Sequence, residues 1–259
     1  MNQDILSLKE TSGIEDAWPV ICEPFKQWVV EDHFIAGRPA WAAVGVQFVT
    51  NVAPCERMNL QRLNAEHSML GILGALIGYD TIDEAINNQN SSTFLKNYMD
   101  VEVTPTLGNL EGINLENYKQ TLLERFGNRN IKDQMDRICS ETSTKFPIFI
   151  LATVTAQLEN KRTIKRAAFV TAAWAIYNLG FDENRNSLKI KDTRVAVLHK
   201  KALEAKDKPA LFLEIETVFG DVKESAVFVK AYTNACQNIV KQGVEKCITD
   251  LNRTILNKR

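Results

Sequence analysis

Apolar residues recur at three- and four-residue intervals along most of the chain, the spacing that gathers them on one face of an α-helix. Met58, Leu63, Leu70, Leu73 and Leu76 do so behind Pro54 and predict one long helix ending near Tyr79. Thr81-Ile82-Asp83-Glu84 fits a capping box at the head of a further short helix. Phe94–Val103 and Leu115–Phe126 are helical in pattern, the second with Asn114 as its N-cap, and Asn130–Thr144 and Ile148–Leu158 continue the theme. Arg162–Leu179 is apolar on most sides, which predicts a buried helix stopped by Gly180. Arg194–Ala205, Ala210–Val218 and Lys223–Asn252 complete the helical set.

The first fifty residues are less regular. Residues 1–12 are polar and are expected to be a flexible N-terminus. A helical region is expected from Ile14 to Glu31, interrupted by Pro19 and Pro24, with Pro24 at an N1 position and Phe25, Trp28 and Val29 on one face. Gly37-Arg38-Pro39 reads as a turn, and Val44–Val49 is the best strand candidate. There is no internal repeat, no low-complexity tract and no shift in composition. The expectation is an all-α, mainly helical single domain over residues 13–259, with one small strand pair.

Composition narrows the function more than the fold. The 259 residues carry 31 basic and 32 acidic side chains, a net charge of -1, which argues against a nucleic-acid binder and against a polybasic membrane-surface protein. The longest apolar stretches, Met69–Tyr79 and Phe146–Ala156, are shorter than the roughly 18–20 residues of a membrane span. The N-terminus shows no basic segment followed by an apolar one, so no secretory signal is visible. The five cysteines are odd in number, widely spaced and without CxxC, which points to reduced, mostly buried thiols in a cytoplasmic protein. The three histidines form no HExxH, so no metal site is expected. Gly71, Gly74 and Gly78 lie in an apolar segment with no strand before it; close packing on a helix face explains them better than a phosphate loop.

One edge of the predicted 54–79 helix presents three polar residues. Asn64 and His67 are three apart and share a face, and His67 stands nearly in line with Asn59, two turns earlier. Arg137 and Lys145 follow on a segment rich in small polar residues. The plain alternative makes Asn64 and His67 satisfied core polar groups and Arg137 and Lys145 surface cations. Spacing alone does not decide between these.

The segment from Glu56 to Ser68 (Glu-Arg-Met-Asn-Leu-Gln-Arg-Leu-Asn-Ala-Glu-His-Ser) resembles the signature of the mannitol dehydrogenase family, whose pattern is K-x4-N-x2-H on a long helix. These are polyol-specific long-chain dehydrogenases, with mannitol and arabinitol 2-dehydrogenases and fructuronate and tagaturonate reductases among them. Cys22–Asp32, Gly37–Trp41, Val44–Phe48, Glu102–Leu107 and Leu123–Phe126 also resemble the family, so the similarity spans roughly residues 13–250, the helical C-terminal domain. Val-Gly-Val-Gln-Phe and Lys-Phe-Pro look more like its mannitol arm than its uronate arm. The resemblance implies a polyol, ketose or uronate substrate and NAD or NADP as cofactor. It implies that Asn64 stabilises the oxyanion, that His67 helps hold the substrate, that Arg137 and Lys145 are cationic substrate-binding residues, and that Glu56 stands beside the proton path.

Two departures from the family pattern matter. The catalytic lysine position is occupied by Asn59, and an amide is no base near neutral pH; loss of a general base costs about 10²–10⁴-fold in rate. Gln61 and Arg62 also replace the family's usual arginine and leucine, and Arg62 stays protonated and cannot substitute. Secondly, no βαβ unit or glycine fingerprint precedes Gly13, so the N-terminal Rossmann domain of the family is expected to be absent and its cofactor contacts remain unknown. The isolated chain is therefore expected to be inactive, to need a separate Rossmann-domain chain, and to self-associate through the apolar surface left bare. Two competing expectations are a degenerate relative that binds a sugar or a protein without catalysis, and a helical interaction module with no ligand.

Overall fold

A computed structural model describes residues 2–20, 22, 25–59, 64–107 and 114–256; the side chains of 2–4, 57–59 and 255–256 lie outside that description. Pro24, Gln61, Arg62 and Leu63, and the side chains of Met58 and Asn59, are thus not described. The chain opens with α1 (Asn2–Ser12), β1 (Val29–Glu31), a 3-10 helix over Ala40–Val44 and β2 (Gln47–Val49). Then come α2 (Ala53–Asn59), α3 (Ala65–Ile77), α4 (Ile82–Asn87), α5 (Gln89–Tyr98), α6 (Leu115–Phe126), α7 (Met135–Ile138), α8 (Thr142–Phe146), α9 (Ala152–Glu159) and α10 (Lys165–Tyr177). The last four are α11 (Val195–Glu204), α12 (Glu216–Phe219), α13 (Ala226–Gln242) and α14 (Val244–Leu256). Among the described residues one sheet forms, β1 beside β2 in parallel, with Val29 opposite Gln47, Val30 opposite Phe48 and Glu31 opposite Val49. The expected class, mainly helical with one strand pair, is the observed one.

The core is built around α10, which packs on α3 and α13. Its Trp174 is stacked on Phe146 (ring centroids 4.5 Å apart) and meets Phe212 edge-on at 5.3 Å, the arrangements aromatic quadrupoles favour. Glu102 caps the α10 N-terminus, accepting hydrogen bonds from the backbone N–H groups of Arg166 at 2.8 Å and Ala167 at 3.0 Å. Burial nevertheless pushes its carboxyl up to about 7, against the pull of those two N–H groups.

Local signals hold where local chemistry decides. Asn114 accepts from the backbone N–H groups of Glu116 and Asn117. The Thr81–Glu84 capping box forms at the head of α4. Gly180 stops the chain after α10 with φ 86°. The glycines of α3 do pack closely: a Cβ on Gly71 would meet Ile138 Cγ2 at 2.9 Å, and one on Gly74 would meet Ala85 Cβ at 3.1 Å.

Five expected elements come out differently. The expected Ala210–Val218 helix is a 3-10 helix over Pro209–Glu214 followed by α12. Asn2–Ser12 coils into a helix where a loose polar tail was expected. No helix occupies the described part of 14–31: Trp18 precedes Pro19, which disfavours α backbone, and the β-branched pair Val29-Val30 enters β1. The 130–144 segment is helical only in α7 and α8, because Lys132 and Glu141 take left-handed φ of 50° and Gln134 pairs with Thr81 in an antiparallel bridge. Finally, Gly243 at φ 83° divides the expected 223–252 helix into α13 and α14.

Candidate active site

Asn64 stands just before α3 and His67 lies in its first turn. Asn64 has helical backbone angles and its side chain caps no N–H group of the helix, so its amide is not consumed by the local structure. One wall across from them is the end of α6, where Phe126 stacks on the His67 ring at 4.8 Å and Arg125 lies with its guanidinium over Phe25. The opposite wall is α7 and the stretch before it. Ile82 donates to the Asp133 carbonyl and Met135 donates to the Asp80 carbonyl, 2.9 and 3.0 Å, so residues 80–83 and 133–135 are clamped together. Gly71 and Gly74 let α7 approach α3 closely enough to complete the wall. The open cavity between them has a volume of about 370 Å³ and is lined by Asn64, His67, Asp83, Arg125, Asp133 and Arg137, among others.

Its electrostatics centre on His67. Burial lowers the imidazole pKa to about 4; Asp133 works against that, while Arg137, Lys145 and Arg125 reinforce it. The ring is therefore neutral at pH 7. Its Nε2 lies 3.5 Å from Asp133 Oδ2 yet makes no hydrogen bond and is buried, so the contact is neither an ion pair nor a satisfied donor. Asp133 instead pairs with the Arg137 guanidinium through its other oxygen. Arg137 is mostly exposed and lines the cavity.

Of the remaining expected site residues, Lys145 and Glu56 are not on its lining. Lys145, in α8, is half-buried and points its Nζ at the Ile138 carbonyl, 3.3 Å away. Burial pushes its ammonium pKa down, with Arg137 adding to the effect. Asn59 is the last residue of α2, and Glu56 is exposed on the same helix and outside the cavity lining. Asn64, His67 and Arg137 are thus brought together. Asp83, Asp133, Arg125 and Phe126 complete the wall, and sequence inspection missed all four. Leu123–Phe126 did stand out as a family-like segment, but Asp83 showed only as part of a capping box and Asp133 gave no signal. Among the described residues no group of three or more His, Cys, Asp or Glu is arranged to hold a metal.

Residues 51–240 match the sequence profile of the mannitol dehydrogenase C-terminal domain. The chain belongs to the mannitol dehydrogenase family. Mannitol 2-dehydrogenase of Aspergillus niger is 38% identical over 246 residues, covering 93% of this chain and 50% of that protein. Among solved structures, Pseudomonas fluorescens mannitol 2-dehydrogenase in ternary complex with NAD and D-mannitol superposes with a TM-score of 0.88 at 40% identity, over 98% of this chain and 52% of that one. A D-sorbitol dehydrogenase in substrate-free form gives a TM-score of 0.85 at 30% identity, over 96% and 51%. This mannitol dehydrogenase-family chain therefore spans about half the length of the relatives it matches.

Proposed function

We propose that this chain is the substrate-binding half of an oxidoreductase that interconverts a polyol and its 2-ketose, in the manner of mannitol and fructose, and that Asn59 leaves its catalysis impaired. The observation that carries this reading is the convergence of Asn64, the neutral, unpartnered His67 and Arg137 on one sugar-sized cavity. As hydride leaves a carbinol carbon its oxygen gains negative charge, and preorganised donors beside that oxygen lower the barrier. Asn64 supplies an amide N–H for that oxygen. His67 is neutral and can donate or accept toward a neighbouring hydroxyl. Arg137 and Lys145 add positive potential, and Glu56 is assigned to the proton path outside the cavity.

The proposed hydride acceptor is NAD, the dinucleotide named in the Pseudomonas fluorescens complex, with NADP as the alternative carried by family resemblance. The described residues offer no glycine-rich strand-to-helix turn, and the 370 Å³ cavity is of sugar size, so these residues do not fit a dinucleotide and none is assigned to contact it. A Rossmann-type domain is the proposed partner for that role, and a cytoplasmic location is proposed with it. No described helix is long and apolar enough to cross a membrane.

Position 59 provides the test. In a protein that joins this chain to a dinucleotide-binding domain, Asn59→Lys is expected to raise kcat for D-mannitol oxidation by about 10²–10⁴-fold, measured as nicotinamide reduction. An unchanged rate would remove Asn59 as the cause of impairment. The second reading, a degenerate relative that binds a sugar or a protein without turning it over, is favoured by the amide at that same position; it gains if D-mannitol binds but the lysine variant stays inert.

A further inference from the structure

Asp83 has no role in the foregoing assignments. It lies in the first turn of α4 and is only 9% exposed, yet it lines the cavity. Its Oδ1 is buried and has no hydrogen-bond partner among the described residues. The two arginines of the lining are engaged elsewhere: Arg137 pairs with Asp133, and Arg125 covers the Phe25 ring. A buried carboxylate oxygen with nothing to accept from is costly to a fold, and a ligand that brings donors offsets the cost. The 80–83 segment is held against 133–135 by two backbone hydrogen bonds, which fix the backbone from which Asp83 projects.

We infer that Asp83 is a specificity-determining residue of this cavity, accepting hydrogen bonds from substrate hydroxyls and selecting a neutral polyol or ketose against a sugar acid. The inference rests on the cavity being the polyol site and names the substrate class it takes. An ionised carboxylate only accepts, so it matches the O–H donors of a polyol chain and repels a substrate carboxylate. Two aspartates and two arginines line the cavity, with His67 neutral; a neutral ligand preserves that balance and a uronate breaks it. Specificity here comes from a repulsive element as much as an attractive one.

The test compares the unsubstituted chain, Asp83→Asn and His67→Ala by calorimetry with D-mannitol, D-fructose and D-fructuronate, each with and without NAD. Asp83→Ser, which also keeps a small polar group at the α4 start, serves if the amide variant does not fold by circular dichroism. The unsubstituted chain is expected to bind D-mannitol or D-fructose and not D-fructuronate. Asp83→Asn is expected to weaken polyol binding about ten- to hundredfold, the effect of one hydrogen bond to a charged group, and to admit D-fructuronate. If His67→Ala loses polyol binding while Asp83→Asn keeps both affinities within twofold, the cavity is the polyol site and the role of Asp83 is overturned. If polyol binding is unchanged in both variants, or no sugar binds the unsubstituted chain, the site assignment and the Asp83 inference fall together.

Discussion

His67 shows how one side chain couples the cavity to stability. Its pKa falls from 6.5 to about 4 because burial penalises the imidazolium and three nearby cations add to that penalty. Between these values the unfolded chain binds the proton and the folded one does not, so stability rises with pH from about 4 to 6.5 and is flat above. The full span is on the order of 3 kcal/mol. Glu102 has the opposite sense: its carboxyl is pushed up to about 7, so the folded state holds the proton more tightly and stability falls as pH rises from about 4.5 to 7. The two slopes oppose each other, so a pH curve of the whole protein would show neither. Urea unfolding of the unsubstituted chain and of His67→Gln across pH 4–7 separates them. The stability difference is expected to shift in favour of the unsubstituted chain up to pH 6.5; a pH-independent difference would mean that His67 titrates normally. Asn64 and His67 were legible because their spacing on one helix is local. Asp83 and Asp133 were not: they meet only through hydrogen bonds joining segments some 50 residues apart, Met135 N–H to the Asp80 carbonyl and Ile82 N–H to the Asp133 carbonyl.

At the scale of elements, α3 and α7 show how small residues position a site. The Gly71 position faces Ile138 Cγ2 and Cys139 Sγ, which a Cβ would meet at 2.9 and 3.0 Å. Both are short, stiff side chains in the core, so the helices must separate if a methyl group is added. Gly71→Ala would gain helix propensity, about 1 kcal/mol at most, and would lose more to overpacking, about 1–3 kcal/mol. A net loss of stability is expected in thermal unfolding, with weaker sugar binding because Arg137 and Asp133 move with α7. Stabilisation by the substitution would show that the helices have slack. The close packing of these glycines was readable from their three- and four-residue spacing; the identity of α7 as the partner was not. The helical pattern over 130–144 conceals two left-handed residues, Lys132 and Glu141, for which neither side chain type is a signal. Where one residue decides an end, as with Asn114 or Gly180, the sequence was sufficient; where prolines and β-branched residues compete with an apolar face, as in 14–31, the face misled.

On the scale of the whole molecule, the chain divides into a packed helical body and an arm that has no core of its own. Among the described residues none before Val46 is buried. The arm is knit by ring contacts, Trp28 on Trp41 at 5.1 Å and Phe34 against both Trp41 and Phe48, and by a parallel strand pair of three residues each. Parallel sheets are found covered on both faces, and a two-stranded sheet is marginal alone. The arm also exposes Trp18 (79%), Val20 (86%) and Val44 (80%), with Ile35 fully bare. Single exposed apolar residues are ordinary, but this many in one thirty-residue segment mark a surface that seeks a cover. With no cover supplied, the chain is expected to associate with itself as its concentration rises, seen as a growing mean mass in sedimentation equilibrium. Ile35→Ser combined with Val44→Ser is expected to shift that association to higher concentration, with the helical body's melting unchanged because neither residue touches the core. A unsubstituted chain that stays monomeric across a hundredfold range of concentration would show that the ring contacts alone make the arm self-sufficient.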